Sequence, residues 1–447
     1  MPELIDIAQR IAAGARSGEQ VEAYVAWSRD TDIRVYEGEV EHLASAETAG
    51  IGVRVVIGNR QGFAYVGDLA ERRGAEALAE ARDNATFASP DEHAGLAEPD
   101  GIAPAALELW REGVAALATA DKVALALDLE RRVRGGDPRI RQVTAADYGD
   151  GQSESAIATS KGILATSRRT GCYVAASALA GAGEQTQSGT GYSVGRDPAE
   201  LDVAAAAREA VDRATRLLGA RKTRSARLTV VLDRRITATL LAILSGALSG
   251  EDVAKGRSLF AGRLGEQVAV GGLTLVEDPT NALAYGASTH DAEGLACRRT
   301  PLIAEGRLAA YLYDTYSARL AGARSTASAV RAGFKSGPGV GARALAIEPG
   351  DKDQDEIVAA VGDGFLVQSI SGVHSGVNPV SGDFSVGAEG LLISGGALGA
   401  PVREVTIAST IQRMLQGVVH IGADVEWLPG NAAGVSLAIA DVALGGE

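Results

Sequence analysis

Apolar residues recur along this chain in two rhythms. Leu4, Ile5, Ala8, Ile11, Ala12 and Ala15 share one face at helical spacing, which predicts an opening helix. Period two then takes over. Val21, Ala23, Val25 and Trp27 alternate with mostly polar neighbours, and the alternation returns at Ile51, Val53 and Val55 and at Phe63 and Tyr65. This reads as a β-meander whose clearest turn is Gly58-Asn59-Arg60, because glycine and asparagine take positive φ cheaply. Asp68-Leu69-Ala70-Glu71 has capping-box spacing and predicts a helix to about Asn84. Residues 88–104, with three prolines, read as an irregular connection, followed by a helical block over 105–134 that Gly135-Gly136-Asp137-Pro138 stops. The stretch 139–194 is β-rich, with turns expected at 149–151 and at Lys161-Gly162. Asp197-Pro198-Ala199-Glu200 carries an N-cap acid and a proline at the first helical position, predicting a helix that closes at Gly219.

The second half starts with a strand at 228–232 and a strongly apolar helix at 236–248. Strands punctuated by glycine follow at 273–277, 308–313, 344–348, 364–371, 390–394 and 436–443, interrupted by one helix at 409–416. The expected class is α+β. An N-terminal α+β domain with a meander and helices spans 1–220, and a glycine-rich, mostly β domain spans 225–447, with the basic run 221–227 at the boundary.

Composition narrows the function. With 447 residues, 46% of them hydrophobic, the chain holds enough apolar material for two or three cores. A net charge of −14 argues against nucleic-acid binding, which needs clustered Lys and Arg. Cys172 and Cys297 form neither a C-x-x-C pair nor a disulfide framework, so a reducing compartment is expected. Acids near the start do not fit a signal peptide. The apolar stretch 236–250 is too short to span a bilayer. The expected location is therefore the cytoplasm, with no membrane partner.

The most unusual stretch is 375–390, SGVNPVSGDFSVGAEG. Gly376, Gly382, Gly387 and Gly390 permit positive φ or close backbone approach, and Pro379 biases Asn378 towards an extended conformation. Two readings stay open: a tight hairpin with a bulge, or a loop facing a peptide or partner, with Gly376, Asn378, Gly382, Asp383 and Gly387 at the contact.

That stretch resembles the TldD/PmbA family, sometimes labelled modulators of DNA gyrase, and in particular its PmbA or TldE branch. The G-V-N-P-V-S-G-D-F-S-x-G-A-x-G run is followed here by Pro401-Val402-Arg403-Glu404-Val405-Thr406-Ile407-Ala408. Ser288-Thr289-His290-Asp291-Ala292-Glu293-Gly294 resembles the family's D-x-E-G turn, 313–319 its Y-S-A-R segment, and Arg60-Gln61-Gly62-Phe63-Ala64 extends the likeness to the N-terminal part. The resemblance implies a C-terminal domain of TldD/PmbA type. It also implies that the catalytic TldD branch carries H-E-x-x-x-H on a helix and a cysteine ligand near its C-terminus.

This chain does not supply such a ligand set. A hydrolytic metal needs about three protein ligands and an open position for water. The helix that should carry them reads LLAILSGALSGEDV over 240–253, and the C-terminal position reads Asn431-Ala432-Ala433-Gly434. His42, His93, His290, His374 and His420 are each at least 46 positions apart. Other chemistries are weakly marked. His374, Ser375 and Asp383 contain the residue types of a Ser-His-Asp site without a nucleophile elbow. His374, His420 and Glu426 are a thin metal set. Asp291 and Glu293 read as turn acids that accept backbone N–H groups, and Gly50-Ile51-Gly52 precedes a strand, not the helix a dinucleotide site needs. The glycine-rich 333–341 reads as a flexible loop lining a shared channel.

The expectation is a chain with no catalytic residue and no cofactor of its own. It would be the non-catalytic subunit of a TldD/TldE-type heterodimeric metalloprotease acting on small unfolded or modified peptides, with zinc or a similar divalent metal on the TldD-like partner. The alternatives are an independent hydrolase with an unrecognised site, or a peptide-binding scaffold working as a homodimer.

Overall fold

The period-two runs of the first half become strands far longer than the alternation alone marks. In the computed structural model, which describes residues 4–447, helix α1 (Leu4–Ala13) leads into β1 (Glu19–Tyr36), β2 (Glu39–Ile57) and β3 (Arg60–Val66). Gly58 and Asn59 both take positive φ, at 53° and 62°, giving the tight turn expected between β2 and β3. Helices α2 (Glu71–Phe87), α3 (Glu112–Ala116) and α4 (Thr119–Gly136) follow, then β4 (Ile140–Thr159), β5 (Leu164–Ala180), β6 (Gln187–Gly195) and α5 (Val203–Arg216). The six strands form one antiparallel sheet in the order β3-β2-β1-β4-β5-β6. Val21, Ala23, Val25, Val53 and Val55 of this sheet pack with Ile7, Ala8, Ile11, Ala77, Leu78 and Ala81 of α1 and α2. Val143, Tyr148, Val174 and Ala176 pack with the alanine- and leucine-rich faces of α4 and α5.

The second half contains β7 (Ala226–Leu232), α6 (Arg234–Ala247), α7 (Gly250–Ala254), β8 (Leu275–Glu277), β9 (Thr300–Ala304), β10 (Arg307–Leu308), α8 (Thr315–Leu320), β11 (Ala329–Val330), β12 (Gly339–Val340) and β13 (Leu345–Ile347). It continues with α9 (Gln354–Val361), β14 (Gly364–Ser371), α10 (Val373–Gly376), β15 (Asp383–Ser394), β16 (Ala397–Thr410), α11 (Ile411–Gln416), β17 (Val418–Ile421), β18 (Glu426–Trp427), β19 (Ala433–Gly434) and β20 (Leu437–Gly445). Its main sheet runs β16-β15-β14-β7-β20-β17, and β16 also pairs with β20, so five strands close into a ring. The class is α+β, mostly β in the C-terminal half.

Several local expectations change. Asp68 does not cap α2: its carboxylate accepts from the Ala70 N–H at 2.9 Å in an Asx turn, and the helix begins at Glu71. Residues 105–111 are not helical, because Leu109 and Arg111 bond Thr170 of β5 instead. Gly149 and Gly151 are strand residues, not a turn. A Cβ there would lie 2.3 Å from the Tyr173 ring and 2.7 Å from the Asp30 carboxylate. Asp197 caps only a single 3-10 turn, and Asp202 caps α5. The strand expected at 308–313 stops at Leu308, since Leu312 turns away to bond Leu248 and Gly250. Helices α8 and α9, each with an aspartate capping box, and the long β16 were not foreseen.

The two halves are joined by buried charge. Arg54 of β2 bonds Glu22 of β1 at 2.6 Å and reaches Glu293 at 3.5 Å, and Arg331 bonds Glu22 at 2.5 Å. Burial pushes the Glu22 carboxyl up, but the Arg54 and Arg331 charges outweigh this and hold it at about 2. A depressed acid stabilises the fold above its ordinary value, here 4.5, and that contribution is lost as pH falls towards 2.

Two outcomes follow. Arg54→Met leaves Glu293 without its cation and Glu22 with Arg331 alone, and is expected to cost about 3–5 kcal/mol in urea unfolding; a loss below about 1 kcal/mol contradicts this joint. In thermal melts across the acid range, Glu22→Gln is expected to flatten the decline in stability between pH 4.5 and 2, and an unchanged slope would show that Glu22 is not its source.

Candidate functional site

The stretch 375–390 is a turn followed by the first part of β15. Asn378 Oδ1 accepts the Val380 and Ser381 N–H groups at 2.9 and 3.2 Å, and its own N–H donates to the Asp383 carbonyl at 2.9 Å. Asp383 Oδ2 accepts the Ser381 hydroxyl at 2.7 Å. The glycines answer to the chain's own backbone. A Cβ at Gly376 would lie 1.9 Å from the Ser385 carbonyl, one at Gly390 1.9 Å from that of Leu366, and one at Gly387 2.5 Å from the Ser371 hydroxyl. Gly382 has φ +82° and no room beside Gln412. Asn378, Pro379, Val380, Ser381 and Asp383 remain exposed.

The other candidate constellations do not assemble. The Ser375 hydroxyl donates to the Gly372 carbonyl at 3.3 Å and Asp383 is taken by Ser381, so neither is bonded to His374. Glu426 pairs with Arg234 at 2.8 Å. Among the described residues no three His, Cys, Asp or Glu side chains come close enough to hold a metal. Helix α6 buries Leu240, Leu241 and Leu244 in the core, and β19 packs against its start, where a Cβ at Gly434 would lie 2.4 Å from the Arg234 carbonyl. The contact between β19 and the start of α6 is made by the Gly434 and Arg234 backbone. Cys172 and Cys297 are buried, and burial pushes both thiols up to about 12, far from a thiolate ligand. The residues present do not fit a hydrolytic metal.

A feature that spacing did not announce is a cleft of about 350 Å³ between the first sheet and loops of the second half. Register builds its floor. Ala26, Ser155 and Ser167 share one row across β1, β4 and β5, and Ser28, Thr48, Ser153 and Arg169 the next. Its roof is formed by His290–Ala292 and by 331–334. The 333–341 loop is not free: Phe334 is buried against Gly50 and Gly52, where a Cβ would lie 2.3 and 2.4 Å from Phe334 atoms. This close packing accounts for the Gly50-x-Gly52 spacing. The loop does line the cleft, through Gly333 and Phe334, whereas none of 375–390 does.

Asp291 is a turn acid as expected. Its carboxylate accepts N–H groups from Glu293, Leu295 and Ala329 at 2.9, 3.0 and 3.2 Å. Burial, then the Glu293 charge, push it up to about 7. Glu293 instead faces Arg54 and accepts the Thr315 N–H at 2.9 Å, tying this turn to the start of α8. Burial holds His290 below its ordinary value. Arg331 lies over the Tyr24 ring at 4.6 Å, and its Nε and Nη1, like Nε of Arg343, are buried without a hydrogen-bond partner among the described residues.

Comparison with known proteins places this geometry. The domain descriptions PmbA/TldA metallopeptidase domain 1, central domain and C-terminal domain match residues 21–85, 113–218 and 225–446 in order. The chain is 27% identical over 433 residues to Metalloprotease PmbA of Escherichia coli O157:H7, covering 95% of this chain and 92% of that one. It is 26% identical over 417 residues to a Metalloprotease TldD homolog of Haemophilus influenzae, covering 90% and 85%. Its fold superposes on TldE of Thermococcus kodakarensis with a TM-score of 0.88, 23% identity and coverage of 96% and 97%.

If the glycines of 375–390 serve the chain's own packing, Gly390→Val is expected to cost about 1–3 kcal/mol in urea unfolding. Asp383→Ala, at an exposed carboxylate with one local bond, should stay within about 1 kcal/mol. Equal losses would contradict this division.

Proposed function

The chain belongs to the PmbA/TldD metallopeptidase family, and on that premise we propose that it is the non-catalytic subunit of a TldD/TldE-type heterodimer that cleaves small, unfolded or modified peptides. One observation carries the reading. Helix α6 turns Leu240, Leu241 and Leu244 into the core, a Cβ at Gly434 of β19 would lie 2.4 Å from the Arg234 carbonyl, and among the described residues no three His, Cys, Asp or Glu side chains come close enough to hold a metal. Tetrahedral zinc in a hydrolase takes three nitrogen, sulfur or oxygen ligands and one water. Such a metal, zinc or a similar divalent ion, would then sit on the TldD-like partner, and no step of peptide hydrolysis is assigned to residues of this chain.

In this reading the chain supplies shape and peptide contacts. Exposed backbone at sheet margins holds extended peptides by main-chain hydrogen bonds while pockets select side chains. The exposed tip at Asn378, Pro379, Val380 and Asp383 is the surface we assign to the partner or its peptide. Its polar side chains are satisfied locally, so the turn is rigid before anything docks on it.

Co-expression with a relative that carries H-E-x-x-x-H, followed by a peptidase assay, tests this. The chain alone is expected to leave an unstructured peptide intact and the complex to cleave it, with Val380→Asp weakening association about tenfold or more. Cleavage by the chain purified without any such relative, abolished by Ser375→Ala, would overturn the reading in favour of an independent hydrolase.

A further inference from the structure

The cleft above β1, β4 and β5 continues past its first chamber. Ser153 and Arg169 also line a second hollow of about 410 Å³, together with Arg111, Arg196, Tyr285 and Trp427. In a chain of net charge −14, one continuous groove thus gathers Arg331, Arg343, Arg169, Arg196 and Arg111.

Arg331 is paired with Glu22, but other members of this set lack a close carboxylate. Arg169 is exposed, and its guanidinium has no hydrogen bond or ion pair among the described residues. Arg196 spends one N–H on the Ala284 carbonyl at 2.7 Å, and Arg111 meets Glu200 and Glu108 only at 3.9 and 4.0 Å. Arg343 donates to the Ala329 carbonyl at 2.7 Å and keeps its buried Nε unpartnered, as Arg331 keeps Nε and Nη1. The walls also carry acids: Asp291 is committed to three backbone N–H groups and Glu200 accepts the Arg196 backbone N–H at 2.7 Å, while Glu154 and Glu108 line the groove beside the arginines. Buried guanidinium N–H groups without partners are costly unless something accepts from them. The groups whose geometry matches the guanidinium fork are carboxylate and phosphate.

The floor fixes the shape of the occupant. Small residues at Ala26, Ser28, Ser153, Ser155, Ser167 and Gly171 let another chain lie close. From Ala165 to Gly171 the groove follows β5 for about 20 Å, at roughly 3.3 Å per residue, which is room for about six extended residues. The net negative charge of the whole protein repels a polyphosphate at long range, whereas a short peptide carries only a few charges into the groove.

We propose that this groove binds an extended acidic peptide segment, gripping its carboxylates with Arg169 and Arg196, while Arg343 adds positive charge in the wall of the first chamber. The inference deepens the peptide-handling role proposed above and rests on it for the word peptide. The carboxylate could belong to acidic side chains or to a chain terminus.

Fluorescence anisotropy on the full isolated chain separates the cases. The probes are a fluorescein-labelled hexapeptide of alternating Glu and Ala, free or amidated at its C-terminus, and the same peptide with Lys for Glu. The Glu peptide is expected to bind at least tenfold tighter than the Lys peptide. Arg169→Glu should remove at least tenfold of that affinity, while Arg72→Glu, exposed on α2 and making the same charge change, should leave it unaltered. A loss on amidation assigns the contact to the terminus, and no loss assigns it to side chains. Equal binding of both peptides, no binding, equal effects of the two variants, or displacement by a single-stranded oligonucleotide more readily than by unlabelled peptide each overturns the proposal. Reconstituted cleavage with the partner would still stand in those cases, so this failure is distinguishable from failure of the subunit role.

Discussion

The buried chain Glu22, Arg54, Glu293 and Arg331 is the constraint on which the arrangement of this protein depends. Two of its members sit on the first sheet and two on loops of the second half, so each half closes the other's desolvated charges. An isolated buried charge costs several kcal/mol, which makes a half-formed joint worse than none. Geometry propagates from there. Glu293 accepts the first N–H of α8, its turn is held by Asp291, and Arg331 places the loop that inserts Phe334 over Gly50 and Gly52. The cleft is the space left between surfaces fixed in this way.

A second constraint lies at α6. In a metallopeptidase family this helix and the strand packed on its start are where the resemblance places ligands, and here they are filled with leucine, alanine and glycine. Restoring a metal would take more than one substitution, because Gly434 has no room for a side chain against Arg234. An aliphatic α6 stabilises the core that the ring of β-strands encloses. The proposed division of labour follows: the partner carries the chemistry, while this chain keeps the walls.

Legibility in the sequence varied with the range of the interaction. Local signals read well: the helix at 4–13, the Gly58-Asn59 turn, the strand at 364–371 and the Asp291 turn depend on residues within a few positions. Signals with two solutions read poorly. The Asp68 box became an Asx turn, and Gly149 and Gly151 became strand positions, because a glycine forced by a neighbouring tyrosine or aspartate looks the same as one forced by a turn. The cleft was least visible. Arg169, Arg331 and Arg343 are spread over 175 positions and meet only through cross-strand register and the 331–334 loop. The alternation of Ser153, Ser155 and Ser167 with bulkier residues was the one available hint, and without the pairing of β4 with β5 it points nowhere in particular.

The central claim is that this chain has no hydrolytic metal site of its own. Zinc titration of the isolated protein by calorimetry, with elemental analysis after gel filtration, tests it without any partner or substrate. The account predicts no stoichiometric zinc retained and no saturable heat. One ion per chain carried through gel filtration, and lost on His374→Ala or His420→Ala, would contradict it.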